Sequence, residues 1–208
     1  EALSYISKGF KAIKIRVGDK VAFDIERVKK VRKTIPEEIE VLVDANTNYS
    51  LKDAQKIMPF FDEYNIGWLE EPFPAMEFKN YKTAKSFSNV FLAAGENHFT
   101  RYEFARLIED DCITYAQPDV SKAGGVTELI RIANLMSGWN VCINPYTSLT
   151  AINMAVSIQI LASISNNGYF EGDVTFFNPF RDNMGGSPFK LDENGFVEPL
   201  DKPGVGVD

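Results

Sequence analysis

The stretch Gly67-Trp68-Leu69-Glu70 decides the fold, because it is a short apolar run that ends in a carboxylate and has counterparts on both sides. Val41-Leu42-Val43-Asp44 ends 26 residues before it, and Phe91–Glu96 ends 26 residues after it. This interval accommodates a strand, a helix and two loops. The repeat therefore predicts strands that alternate with helices, which is typical of a parallel α/β sheet.

The repeat continues in both directions. Further apolar runs occur at Ala12–Arg16, Thr114–Asp119, Val141–Asn144 and Gly168–Glu171. Segments with helical periodicity or a capping pattern fit between the runs, at Phe23–Lys33, Leu51–Tyr64, Arg101–Glu109, Gly125–Met136 and Leu149–Ile164. These runs predict seven strands, whereas a closed barrel of this type has eight. We predict an incomplete TIM-type (β/α) barrel that lacks its first strand.

The pattern stops near Asn178, where glycine and proline become frequent. The breakers are Pro179, Gly185, Gly186, Pro188, Gly195, Pro199, Pro203, Gly204 and Gly206. Such residues favour turns and extended chain over regular elements. We predict a partial barrel that forms the catalytic domain over residues 1–177, and a C-terminal tail over 178–208 that packs on it and ends in short antiparallel strands.

The composition narrows the classes of partner. The chain has 22 Lys+Arg against 29 Asp+Glu, for a net charge of −7, and no basic cluster. Nucleic acid and anionic membranes are therefore poor partners. No apolar run approaches the roughly 20 residues that span a bilayer. A barrel with open sheet edges is expected to associate, so we predict a homo-oligomer, most simply a dimer.

The two cysteines indicate a reducing compartment. Cys112 and Cys142 show no C-x-x-C pattern, so we expect reduced, mostly buried thiols and a cytoplasmic location. The chain opens on Glu1-Ala2-Leu3 with no methionine and no charged-then-apolar leader. We expect no signal peptide, and a chain that is part of something longer.

Three carboxylates end consecutive predicted strands: Asp44, Glu70 and Glu96. The carboxyl ends of parallel strands meet at one edge of a barrel, so the three charges would repel each other. A hard divalent cation such as Mg²⁺ prefers oxygen ligands and would relieve this repulsion. We predict a Mg²⁺ site at these residues; the alternative is three solvated acids at strand ends.

Charged residues surround this predicted edge. Lys14 and Arg16 share one face of the first run, because side chains alternate along a strand. Asp119 and Glu171 end later runs, Lys122 follows the first of these, and His98 follows Glu96 by two positions. Lys122 and Glu171 are also compatible with surface or structural roles, and His98 with a polar contact to substrate.

Five short motifs follow one another along the chain, and their order and spacing are specific in combination. They are Gly9-Phe10-Lys11-Ala12-Ile13-Lys14-Ile15-Arg16, Val43-Asp44-Ala45-Asn46, Trp68-Leu69-Glu70-Glu71-Pro72, Gly95-Glu96-Asn97 and Gln117–Gly125. Together they resemble the mandelate racemase/muconate lactonizing enzyme group of the enolase superfamily. The resemblance runs from about Gly9 to the end of the chain.

The resemblance implies that Asp44, Glu70 and Glu96 bind Mg²⁺. It also implies a common first step, in which a base removes the proton α to a substrate carboxylate and the metal stabilises the enediolate. Lys14 would help to neutralise that carboxylate and Glu171 would hydrogen-bond it. Asn46, Lys122 and His98 are further candidates for substrate contact.

The sequence departs from the family pattern in three ways, and the first two concern the base. Arg16 stands where the racemases have a second lysine, and a guanidinium stays protonated. Tyr146 stands where a histidine pairs with the aspartate that corresponds to Asp119. Asp119 and Tyr146 would replace that dyad only if a cation, such as Arg16 or the metal, made the phenol more acidic. As the third departure, we expect the family's N-terminal capping domain to be missing here, together with the first strand.

Three functions remain open. The segments Tyr169–Asp173 and Asn178–Asp182 resemble those of acid-sugar dehydratases, so the leading hypothesis is a Mg²⁺-dependent dehydratase of a small hydroxy-carboxylate. A racemase or cycloisomerase of the same superfamily is the second. The third is a truncated or decayed barrel that binds metal without turnover.

Overall fold

The structure is a computed structural model that describes residues 1–147, 150–184 and 189–207. It places six strands and eight helices in these ranges, and every strand pair it shows is parallel. The predicted α/β class is confirmed. The chain forms two compact units. The first consists of Glu1–Ala94 and Arg106–Thr114, and the second of Gly95–Ala105 and the chain from Tyr115 onward.

The first unit contains four parallel strands in the order of the chain. They are β1 (Ala12–Arg16), β2 (Glu40–Asp44), β3 (Ile66–Glu70) and β4 (Phe91–Ala94). Its helices are α1 (Ala2–Ile6), α2 (Val21–Thr34), α3 (Leu51–Glu63) and α4 (Phe78–Ala84). Arg16 lies opposite Asp44 in the β1–β2 register, and Asp44 lies opposite Glu70 in the β2–β3 register. The parallel pairing thus aligns three charged strand ends.

The second unit contains two short strands and two long helices. The strands are β5 (Tyr115–Ala116) and β6 (Cys142–Ile143), and the helices are α6 (Val126–Ser137) and α7 (Ala151–Ser163), with a short α8 (Pro179–Asp182). Helix α5 (Thr100–Glu109) begins in this unit and ends in the first. Leu129 of α6 packs with Val120 and with Ile160 of α7 in an apolar cluster.

Burial on both faces explains why Val41–Val43 of β2 reads as a continuous apolar run. All of Val41, Leu42 and Val43 are buried, although neighbours along a strand point to opposite faces. This is the expected pattern for a parallel strand that is covered on both sides. Ile57 and Phe61 of α3 are also fully buried in this unit.

The predicted elements agree with the structure apart from their ends and three short helices. Helix α3 begins as expected, because the Ser50 hydroxyl accepts from the Asp53 N–H while Asp53 accepts from the Ser50 N–H. The cap predicted at Thr100 is wrong in detail: α5 includes Thr100, and Glu103 accepts from the Phe99 N–H. Helices α1, α4 and α8 were not predicted. The expected start of α7 at Leu149 lies outside the described residues.

The predicted strand Gly168–Glu171 is wrong. Only one bridge forms there, between Ile143 and Asn167. The ladder cannot continue through Pro145, which has no N–H, and the Tyr169 N–H donates 2.6 Å to the side-chain oxygen of Asn144. In the tail, one antiparallel bridge joins Leu191 to Val197, which agrees with the expected short antiparallel pairing. The breakers Gly185, Gly186 and Pro188 lie outside the described residues.

Both cysteines are free, and Cys112 is fully buried while Cys142 is partly exposed. The two cysteines are therefore unpaired, as expected, and the reduced state of their thiols stays a prediction. Burial raises the pKa of Cys112 to about 11. Among the helices of the described residues, none has the length and apolarity needed to cross a bilayer.

A buried carboxylate fastens the two loops that follow β1 and β2. Asp24 of α2 is completely buried and accepts hydrogen bonds from the backbone N–H groups of Gly18 and Asp19, at 3.0 and 2.9 Å. It also accepts from Arg27 at 2.7 Å and from the Tyr49 hydroxyl at 2.9 Å. Asp24 therefore connects the loop after β1 to the loop after β2.

Glycine is required in this connection. Gly18 has a φ of +100°, and a Cβ there would lie 2.5 Å from the carbonyl oxygen of Ala45. Arg27 extends the same network, since its guanidinium donates 2.9 Å to the backbone carbonyl of Arg16. The last residue of β1 is thus held by the side chain of α2.

Replacing Asp24 with alanine should lower the free energy of unfolding by about 3–5 kcal/mol, because four donors lose a buried acceptor. Urea unfolding followed by circular dichroism measures this change. Glu26→Ala is the matched control, since Glu26 is an exposed acid on the same helix. A loss in Asp24→Ala no greater than in Glu26→Ala would contradict this account of the loops.

Candidate active site

The charged ends of β1, β2 and β3 form paired contacts in the first unit. The Lys14 ammonium lies 2.7 Å from Glu70 Oε1, and the Arg16 guanidinium lies 2.8 Å from Asp44 Oδ2. Trp68 donates from its indole nitrogen to Glu70 Oε2 at 3.2 Å. Each predicted carboxylate on this edge thus has a predicted cation beside it.

Burial disfavours the ionised forms of the carboxylates at this edge. Asp44 and Glu70 are both almost fully buried. Burial raises the pKa of Asp44, the charge of Glu70 raises it further, and Lys14, Arg16 and the Asn46 N–H lower it in part. Asp44 is therefore held beside Glu70 with less positive charge than its ionised form needs, which is a property of sites that take up a cation.

The backbone of the β2–α3 loop is held against the chain that follows β3. Ala45 donates to the carbonyl of Glu70 at 2.9 Å, and Thr47 donates to the carbonyl of Glu71 at 2.7 Å. Asn46 has a φ of 44°, and its N–H donates 2.8 Å to Asp44 Oδ1. Asn46 is exposed, so its side chain is accessible for the substrate contact that the sequence predicted.

Glu96 and His98 lie in the second unit, after β4. Glu96 is buried and accepts a hydrogen bond from the Asn97 amide at 3.3 Å. His98 is completely buried, with its ring centroid 5.9 Å from that of Phe104. Gly95 is required before them, because a Cβ at this position would lie 2.6 Å from the backbone nitrogen of Gln117.

Asp119 lies in the most densely hydrogen-bonded part of the second unit. Its Oδ1 accepts 2.8 Å hydrogen bonds from the Ser121 N–H and from the Asn153 amide, and its Oδ2 lies 4.0 Å from the Lys122 ammonium. Asn153 also donates to the Ser121 hydroxyl at 2.8 Å. Neither Asn153 nor Ser121 is among the site residues predicted from the sequence.

A signal for Asn153 was nevertheless present in the sequence. Helix α7 is almost entirely apolar, yet Asn153 and Ser157 are four residues apart and share one face. Both are buried, and the Ser157 hydroxyl lies 3.4 Å from Asn153 Oδ1. A buried polar pair of this kind implies a polar partner on the neighbouring chain, which here is Asp119.

Tyr146 and Glu171 also belong to the second unit. The Lys122 ammonium lies 5.3 Å from the centroid of the Tyr146 ring. Glu171 is half-buried, and its backbone carbonyl accepts a hydrogen bond from the Thr147 hydroxyl. The structure thus brings Asp119, Lys122 and Tyr146 together, and it places the Glu171 backbone next to the loop that follows β6.

The predicted metal ligands fit a hard divalent cation in their chemistry. Asp44, Glu70 and Glu96 all offer carboxylate oxygens and are all buried. Across residues 1–147, 150–184 and 189–207, however, no group of three or more His, Cys, Asp or Glu side chains is arranged as a metal site. The set Asp44, Glu70 and Glu96 therefore stays a prediction, supported by its donor chemistry and by the charge deficit at Asp44.

The whole chain matches the model of one protein family. A family model described as enolase C-terminal domain-like matches residues 1–208. The chain belongs to this family. The resemblance to the mandelate racemase/muconate lactonizing enzyme group is confirmed, and so is the TIM-barrel-like fold class.

Relatives of this enolase-family chain include enzymes that act on sugar acids. The arabinonate dehydratase of Saccharolobus solfataricus is 28% identical over 207 residues, which is 99% of this chain and 55% of the dehydratase. A crystal structure of an enolase superfamily member from Polaromonas sp. JS666 is 45% identical, with a TM-score of 0.96, over 100% of this chain and 55% of that one.

Two further solved structures that this chain resembles are a cycloisomerase and a racemase with bound magnesium. The 3,6-anhydro-D-galactonate cycloisomerase from Zobellia galactanivorans is 34% identical, with a TM-score of 0.93, over 100% of this chain and 58% of that one. A racemase from Streptomyces coelicolor A3(2) with bound magnesium is 25% identical, with a TM-score of 0.88, over 100% and 55% of the two chains. The chain thus spans about half the length of these relatives.

Replacing Asp44 with asparagine should stabilise the metal-free protein at neutral pH, by about 1 kcal/mol. Because the folded-state pKa of Asp44 is raised, the folded protein binds this proton more tightly, and stability falls as pH rises through that pKa. Urea unfolding in EDTA, at mildly acidic and neutral pH, measures both effects.

Asp53→Asn is the control of opposite sign. The Ser50 hydroxyl lowers the pKa of Asp53, so ionised Asp53 stabilises the fold and its stability contribution is lost as pH falls. Asp53→Asn should therefore destabilise the protein at neutral pH, where Asp44→Asn should stabilise it. A destabilised Asp44→Asn protein, with no dependence on pH, would show that the charge deficit at Asp44 is absent.

Proposed function

We propose that this protein is a Mg²⁺-dependent enzyme that removes the proton α to the carboxylate of a sugar acid and then eliminates water. The main support is the pairing of Lys14 with Glu70 and of Arg16 with Asp44 at adjacent strand ends in a family of enolase-like enzymes. The dehydratase and cycloisomerase relatives support a sugar acid as substrate.

Asp44, Glu70 and Glu96 would hold the metal in this proposal. When bound, Mg²⁺ would supply positive charge for the carboxylate oxygens of the substrate. Lys14 and Arg16 would add fixed cations at the same edge, and the side chain of Lys14 is the less exposed of the two. Arg16 acts as a charge in this scheme and not as a base, because guanidinium stays protonated.

The residues of the second unit would act on the leaving group. Elimination needs a proton for the departing hydroxyl, and Asp119 and Tyr146 are the predicted groups for proton transfer. Glu171 and Asn46 would hydrogen-bond the substrate, and His98 is the predicted further contact. The α proton leaves to a base, the C–O bond breaks with its electron pair on oxygen, and the enol tautomerises to a 2-keto-3-deoxy acid.

Neither the sequence nor the structure assigns the residue that accepts the α proton. The predicted homo-oligomer and the cytoplasmic location also stay predictions. No partner other than a small hydroxy-carboxylate is proposed, because the acidic composition disfavours nucleic acid and anionic membranes.

The metal site is tested by Mg²⁺ binding. Glu70→Gln should weaken Mg²⁺ binding at least about tenfold, because it removes an anionic ligand from a buried position. Isothermal titration calorimetry measures the dissociation constant in wild type and variant. Glu26→Gln, which neutralises an exposed acid on α2, should bind as wild type does. Equal affinity in wild type and Glu70→Gln would refute the ligand assignment.

The reaction is tested with a panel of sugar acids in D₂O with Mg²⁺. Dehydration should give a 2-keto-3-deoxy acid, detected as its semicarbazone, and NMR should show the β-hydroxyl lost from one or more substrates. Deuterium incorporation at the α carbon without loss of water would favour racemisation or cycloisomerisation instead. Mg²⁺ binding with neither reaction, in the chain and with its natural upstream sequence restored, would favour a decayed barrel.

A further inference from the structure

Lys122 occupies a position between the two residues expected to replace the family's histidine–aspartate dyad. Its ammonium lies 5.3 Å from the centroid of the Tyr146 ring and 4.0 Å from Asp119 Oδ2. The side chain is 38% exposed, so it bridges the interior and the solvent. The sequence offers Arg16 and the metal as examples of cations that would make Tyr146 more acidic. The structure places the Lys122 ammonium over the Tyr146 ring.

We propose that Lys122 is a positioning residue that acts through Tyr146, by stabilising the phenolate that forms when Tyr146 gives its proton to the leaving hydroxyl. This inference rests on the proposed function. In the step itself, the Tyr146 O–H proton moves to the departing oxygen, and the C–O electron pair leaves with it as water. The phenolate that remains takes a proton back from solvent before the next turnover.

The physical basis is the attraction between an ammonium group and an electron-rich ring. A cation within about 6 Å of an aromatic face is favoured by the ring quadrupole. The attraction grows when the ring carries the negative charge of a phenolate, so the same contact favours ionised over neutral tyrosine. Because Lys122 is partly exposed, solvent screens this effect, and we expect a change of about three- to tenfold in the ionisation constant.

Asp119 is the second charged group that bears on this contact. Its Oδ2 lies 4.0 Å from the ammonium, so its negative charge offsets part of the charge of the lysine. Its Oδ1 accepts hydrogen bonds from the N–H of Ser121 and the amide of Asn153. These two donors offset part of the carboxylate charge and leave Oδ2 to the lysine, so Asp119 holds Lys122 in place.

Asn153 completes the arrangement from α7. Thr150 caps this helix by accepting from the Asn153 N–H at 3.0 Å, which fixes the first turn of the helix. The Asn153 amide then reaches both Asp119 and Ser121 at 2.8 Å. A buried asparagine on the first turn of α7 thus determines where the partner of Lys122 lies.

The test is an ultraviolet titration of the Tyr146 phenolate, which needs no turnover. The difference between the wild type and Tyr146→Phe isolates the signal of this one residue among eight tyrosines. Burial raises the pKa of Tyr49 and of Tyr81, so these two do not ionise in the range of interest. Each Lys122 variant is compared with its own Tyr146→Phe double variant.

Lys122→Met should lower the Tyr146 ionisation constant about three- to tenfold. Lys122→Arg should restore it, because guanidinium also stacks on aromatic rings. Lys122→Gln, a second neutral variant, should match Lys122→Met, and circular dichroism should show that each variant is folded. Asn153→Ala should give a smaller shift in the same direction, since it loosens Asp119.

An unchanged Tyr146 titration in both neutral variants would overturn the proposal, as would a failure of Lys122→Arg to restore it. On a substrate that turns over, Lys122→Met should lower kcat more than it changes KM and should move the alkaline limb of the pH profile with the titration. If no sugar acid turns over, the proposed function fails, whereas the titration reports separately on the Lys122–Tyr146 contact.

Discussion

The burial of two carboxylates at adjacent strand ends is the constraint on which the rest of the first unit depends. Parallel pairing places Asp44 beside Glu70, and both side chains are shielded from solvent. An unpaired buried charge costs several kcal/mol, so the chain must bring cations to the same edge. It does so with Lys14 and Arg16 from β1, which are in reach because β1 pairs with β2 in register. The offset is incomplete, since the pKa of Asp44 stays raised.

Hydrogen bonds in the loops around this edge hold the charged strand ends in position. Asp24 connects the loop after β1 to Tyr49 in the loop after β2, and Arg27 holds the carbonyl at the end of β1. Side chains at the ends of strands would otherwise rotate away from each other to reach water. Hydrogen bonds to the backbone therefore fix the strand ends that carry the pairs Lys14–Glu70 and Arg16–Asp44.

The second unit carries the departures from the family pattern. Tyr146 stands where the histidine is expected, Lys122 lies over its ring, and Lys122 also contacts Asp119, which accepts from Asn153. A tyrosine is a far weaker acid than an imidazolium, so it needs a nearby positive charge to take part in proton transfer. The lysine over its ring supplies such a charge within the same unit. The carboxylates at the strand ends would then carry out the chemistry that the family shares. Tyr146 and its neighbours would carry out the step in which this protein departs from the family.

The sequence by itself determined the α/β class, most strand and helix positions and the family, because apolar period and motif spacing are local properties. It also paired the right residue types at the strand ends, since alternation along β1 puts Lys14 and Arg16 on one face. The tertiary structure alone decided which cation meets which carboxylate, that Gly168–Glu171 is not a strand, and that Asn153 and Lys122 meet at Asp119. These outcomes depend on contacts between residues far apart in the chain, such as Asn153 and Asp119, and no local pattern encodes the distance between them.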